Sequence, residues 1–156
     1  FNTAIGSIAL GDSTTASQNT AVGYQSLVAT TTGCQNAVVG FKAMDANTTG
    51  DRNVAMGRDA LGSNTSADYN VAIGSEAMEA NTTGTLNTAV GTCSSNAMTT
   101  GQQNASIGGS SLIANTTGSR NTALGLCFLM LVLKHEKLFT RVIFNTTNVP
   151  NSRELG

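Results

Sequence analysis

Apolar and polar positions along this chain recur with a period of 17 residues, and the period runs through eight copies without slippage. Each copy opens on an asparagine: Asn2, Asn19, Asn36, Asn53, Asn70, Asn87, Asn104 and Asn121. A glycine follows four residues later: Gly6, Gly23, Gly40, Gly57, Gly74, Gly91, Gly108 and Gly125. With the asparagine as position 0, position 3 is always large and apolar (Ile5, Val22, Val39, Met56, Ile73, Val90, Ile107, Leu124), whereas position 2 is Ala in most copies. A second small–large pair occupies positions 7 and 8, as in Ser26-Leu27, Ala43-Met44, Ala60-Leu61 and Ala77-Met78, and weakens to Ser94-Ser95 in the sixth copy. So short a fixed period describes a coil that cannot bury its apolar face alone and must stack on its neighbours.

Neighbouring strand residues point to opposite faces. The pattern therefore predicts an all-β chain, a parallel β-solenoid (β-roll) with 17-residue coils. Size then suggests the facing: the large position-3 column lines the lumen and the small position-2 column faces outward. Ala21, Ala55, Ala72 and Ala89 become a candidate lateral interface against identical chains, with a solvent-exposed alanine face as the bland alternative.

The corners carry turn chemistry. Position 12 is Thr14, Thr31, Thr48, Thr65, Thr82, Thr99 and Thr116, position 13 is Thr or Ser66, and position 14 is Gly or Ala. Hydroxyl and carboxamide groups bond to nearby backbone, and Gly admits conformations closed to other residues. The asparagine column is expected to stack into a ladder that satisfies backbone groups at a bend. Recurrent Gly, Thr and Asn argue against helix.

Two segments follow: a solenoid over 1–125, its last copy incomplete, and a non-repeating apolar tail over 126–156. The tail begins Leu126-Cys127-Phe128-Leu129-Met130-Leu131-Val132-Leu133 and turns charged at Lys134-His135-Glu136-Lys137, too short a run to span a bilayer. It is read as a cap over the last coil's open edge, as a strand added to another subunit, or as a remnant of a different domain or a misread reading frame. Phe1 directly precedes the first copy, with no initiating Met or signal peptide, and the expectation is a processed chain or a fragment.

Composition narrows the function. A net charge of −1 with 11% charged residues gives no electrostatic footprint for nucleic acid. Cys34, Cys93 and Cys127 form no disulfide framework: Cys93 and Cys127 share a column two coils apart, roughly 9–10 Å at the strand spacing, too far for an unstrained bridge. A single His135 and no Cys-X-X-Cys spacing argue against zinc, and the acids do not recur as a calcium-binding roll needs, so no metal or cofactor is expected. Asp45, Asp51, Asp59, Asp68, Glu76 and Glu79 fall in surface columns without a partnered base or nucleophile, so no enzyme is expected either.

The residues Asn19-Thr20-Ala21-Val22-Gly23-Tyr24-Gln25-Ser26-Leu27, followed by Thr31-Thr32-Gly33, resemble the head repeats of trimeric autotransporter adhesins and related phage tail-fibre repeats. The resemblance covers roughly residues 1–125. It implies a left-handed β-roll, a homotrimer of side-by-side rolls, and attachment through the surface to a host protein or carbohydrate. The expected function is a structural or adhesive part of an extracellular fibre or adhesin-like head, at a cell surface or on a virion. The alternative is a filament subunit stacking end to end through its ladder edges. Ice binding through the threonine columns ranks lower, because adjacent Thr pairs followed by Gly suit a turn better than a flat array. Asn-X-Thr/Ser acceptors occur at Asn47, Asn64, Asn81, Asn104, Asn115 and Asn145. They read as by-products of turn composition in a bacterial or phage protein, and as glycan sites along one edge in a eukaryotic secreted one.

Overall fold

The computed structural model describes residues 1–126, together with the backbone of a two-residue strand at Val142–Ile143. Each copy contributes one three-residue strand: Thr3–Ile5 (β1), Thr20–Val22 (β2), Ala37–Val39 (β3), Val54–Met56 (β4), Val71–Ile73 (β5), Thr88–Val90 (β6), Ala105–Ile107 (β7) and Thr122–Leu124 (β8). The strands pair in parallel in chain order, and the register equals the repeat, so that Ala55 lies beside Ala72 and Ala72 beside Ala89. Val142–Ile143 (β9) adds to the far edge as a parallel partner of β8. The fold is a parallel β-solenoid, and no helix occurs among the described residues.

Hydrogen bonds between coils run around most of the circumference. The Val54 amide donates to the Asn70 carbonyl at 2.8 Å, and the Gly74 amide donates back to Met56 at 2.7 Å. Away from the strands, Leu61 donates to Ala77 at 3.0 Å and Thr65 to Thr82 at 3.1 Å. Each coil thus satisfies its neighbour's backbone, which isolated coils could not do.

The asparagine column performs the role expected of it. Asn53 donates from Nδ2 to the Ala67 carbonyl at 2.8 Å, closing its own coil, while its Oδ1 accepts the Asn70 amide of the next coil at 2.9 Å. A second column at position 11 does related work: Asn47 pairs with both backbone groups of Gly50, and its Oδ1 accepts from Asn64 at 2.9 Å. The position-4 glycines have φ between +125° and +148°. A Cβ on Gly57 would sit 2.4 Å from the Gly74 carbonyl oxygen, so both conformation and proximity demand glycine.

The facing of the strand columns differs from the expectation. Ala21, Ala55, Ala72 and Ala89 are fully buried and line the lumen. The position-3 residues Ile5, Val22, Val39, Met56, Ile73, Val90, Ile107 and Leu124 point outward; Ile5 is 60% and Met56 44% exposed. The physical reason is parity. Asn at position 0 must face inward to close the coil, and residues two apart share a face, so position 2 turns inward and position 3 outward. The lumen's large side chains come instead from position 8, where Leu27, Met44, Leu61, Met78 and Leu112 are buried.

Strict alternation fails at positions 6 to 8. Non-glycine residues adopt positive φ at positions 6, 8 and 16 of each complete coil, as at Asp59 (53°), Leu61 (52°) and Tyr69 (58°). Such a conformation costs an ordinary residue roughly 1–2 kcal/mol. It also lets positions 7 and 8 both enter the lumen, and Ala60 and Leu61 are both fully buried. The sixth coil exchanges its lumen residues: Ser95 replaces the usual Leu or Met at position 8, and buried Met98 replaces the usual Asn at position 11. Ser106 Oγ lies 2.8 Å from both Ser94 and Ser95 hydroxyls, so the inserted polar groups satisfy one another across the lumen.

Candidate interaction surface

Outward-facing residues on β1–β8 occupy positions 1 and 3. In the middle strands both positions are aliphatic: Val54 and Met56 on β4, Val71 and Ile73 on β5. The flanks extend this surface. At position 5, Tyr24 and Phe41 stack with centroids 5.4 Å apart and planes 19° apart, and Lys42 Nζ lies 5.9 Å from the Phe41 ring centre. At position 16, Arg52 lies 5.3 Å over the Tyr69 ring and donates to the Tyr69 hydroxyl of the following coil at 2.8 Å, with exposed Leu86 one coil further on. Every exposed large apolar side chain among the described residues falls between position 16 and position 6 of the coil.

The opposite side is polar and turned upon itself. Threonine hydroxyls at position 12 donate to the position-12 carbonyl of the next coil, as Thr48 does to Thr65 at 3.0 Å and Thr82 to Thr99 at 3.1 Å. Asp51 and Asp68 accept the amides of Cys34 and Asp51 at 2.6 and 2.7 Å, so these carboxylates extend the ladder.

A charged strip borders the aromatic flank. Arg58 pairs with Asp59 and Glu76, and the Glu76 hydrogen bond raises its pKa above the ordinary value. Burial pushes the Asp45 carboxyl up, with Lys42 opposing the shift. Burial and the nearby Glu76 carboxylate push the Cys93 thiol up, the reverse of what a nucleophilic thiolate requires. Among the described residues no group of three His, Cys, Asp or Glu side chains has metal-site geometry. Cys34 and Cys93 are free; Cys127 and His135 lie outside the described residues.

The acceptor asparagines are not at an edge. Asn47, Asn64, Asn81, Asn104 and Asn115 are all buried in the lumen ladders, while Asn145 lies outside the described residues. Sequence reasoning missed the position-1 column and the Tyr24, Phe41, Tyr69 and Leu86 flanks as parts of one surface. The available signal was the inward asparagine, two residues from position 2. No family model, curated protein or solved structure matches the chain, so its surface is interpreted from its own geometry.

Proposed function

We propose that the chain is a non-enzymatic structural or adhesive module of an extracellular fibre or adhesin-like head, and that identical chains pack side by side through the outward sheet face. The observation carrying this reading is the confinement of exposed large apolar residues to one side of the coil. Eight strands at about 4.8 Å spacing make a face about 34 Å tall, and the span from position 16 to position 6 adds a width of up to about 20 Å. That amounts to on the order of 700 Å², close to the roughly 800 Å² per partner of a stable interface. The face is mixed, its exposed apolar residues interrupted by Arg52 at position 16 and by Arg58, Asp59 and Glu76 at positions 5 and 6. Apolar side chains gathered on one side with a charged border suit an association surface.

A homotrimer is the assembly that the adhesin-like repeats suggest, now with positions 1 and 3 rather than the alanine column at the contacts. The polar threonine side then faces solvent and is available to a host protein or carbohydrate. End-to-end stacking receives less support, because β9 pairs with the outer edge of β8. Ice binding also loses support, because the position-12 hydroxyls donate to the backbone.

Light scattering and electron microscopy on one purified preparation test the assembly. Discrete particles of three chains are the expected result. Filaments would transfer the role to axial stacking, and a stable monomer would remove the lateral reading.

A further inference from the structure

We infer that this chain is built to fold where asparagine-linked glycosylation does not reach it, because the residues such a modification would occupy are the internal hydrogen-bonding groups of the solenoid. The inference is independent of the proposed assembly.

Asparagine-linked transfer replaces one hydrogen of Nδ2 with a sugar, and the acceptor motif is Asn-X-Thr/Ser. Asn47 Nδ2 donates to Thr30 Oγ1 and to the Gly50 carbonyl, both at 3.2 Å. Asn64 donates to Asn47 Oδ1 at 2.9 Å and to the Ala67 carbonyl at 3.3 Å. Asn81 donates to Asn64 Oδ1 at 3.4 Å and to the Gly84 carbonyl at 3.0 Å. Asn104 donates to Asn87 Oδ1 at 3.1 Å and to the Gly118 carbonyl at 2.9 Å, and Asn115 reaches that same carbonyl at 3.0 Å. All five side chains are at most 3% exposed. A sugar on any of them must displace ladder bonds and find volume inside a packed lumen.

The motif arises from the fold itself. Position 11 prefers Asn because its carboxamide serves the position-14 backbone, position 12 is Thr because its hydroxyl bridges to the next coil, and position 13 is a hydroxyl residue at the bend. Asn-Thr-Thr is therefore what this solenoid writes at its corner. In the folded chain the sites are sealed. In an unfolded chain entering a glycosylating compartment they are open, and modification there precedes and prevents coil stacking.

The test is translation of the whole chain behind a cleavable signal sequence, with and without glycosylating microsomes, followed by limited proteolysis and mass measurement. The expected result is a glycosylated product that has lost its protease-resistant core, against a resistant core in the microsome-free product. A variant carrying T49A, S66A, T83A, S106A, T117A and T147A removes all six motifs, and the same chain translated with a competing acceptor tripeptide removes the modification without altering the sequence. Both are expected to recover the core inside microsomes; should the variant fold poorly by itself, the tripeptide arm decides. A chain glycosylated at Asn47, Asn64, Asn81, Asn104 or Asn115, as located by peptide mass mapping, and yet as protease-resistant as the unmodified one overturns the inference. So does a chain that enters the microsomes and folds there without acquiring glycans.

Discussion

At the residue scale, one carboxamide per coil does several jobs at once. Asn70 closes its coil through the Gly84 carbonyl at 2.8 Å and accepts both the Asn87 amide at 3.0 Å and the Asn87 side chain at 3.2 Å. Asn70→Ala leaves these buried groups without partners and is expected to destabilise the fold by about 3 kcal/mol or more, measured by denaturant unfolding. Asp45 makes the opposite kind of contribution. Burial raises its folded-state pKa, so the favourable contribution is present below the unfolded carboxylate pKa and is lost as pH rises through the folded value. Asp45→Asn is expected to unfold at higher denaturant than the parent at neutral pH, and the difference should vanish in acid. The asparagine ladder was legible from the sequence because eight identical side chains at one period have few other uses. The facing of its neighbours was missed because residue size was given more weight than strand parity.

At the element scale, each coil joins a true strand at positions 1 to 3 to two stretches in which alternation does not hold. The strand and its register follow from the 17-residue period alone. The left-handed residues at positions 6, 8 and 16 do not, since residues such as Leu61 and Tyr69 carry no local preference for that conformation; stacking between coils imposes it. The sixth coil shows how a lumen accommodates an exception. Ser95 and Met98 exchange the usual polarity and bulk of positions 8 and 11 within the same coil. Ser95→Leu alone is expected to overpack the coil beside Met98, and Met98→Asn alone to leave a cavity, each destabilising by about 1–3 kcal/mol. The double variant S95L/M98N restores the pattern of the neighbouring coils. A double-mutant cycle in thermal or denaturant unfolding should return most of the loss.

At the scale of the whole molecule, the solenoid has an apolar sheet side and a hydroxyl-rich side, and adjacent residues of one strand serve different ends. Ala72 is fully buried, while Ile73 is 38% exposed on the outward face. Ile73→Lys is expected to dissociate the proposed lateral assembly into folded monomers, seen as a fall in scattering mass with an unchanged circular dichroism spectrum. Ala72→Arg places a charge in the lumen and is expected to unfold the coils around it. Dissociation by Ala72→Arg with the fold retained would contradict the burial of that column.

Parallel register locked to the repeat makes length an adjustable quantity. Inserting 17 residues between any two coils adds one rung of about 4.8 Å and leaves every column in line. Inserting 16 or 18 turns the asparagines out of their row and breaks the stack at that point. The molecule is a graduated rod, divisible only at its own marks, and its reach from end to end can be set by copying a unit without redesigning any contact.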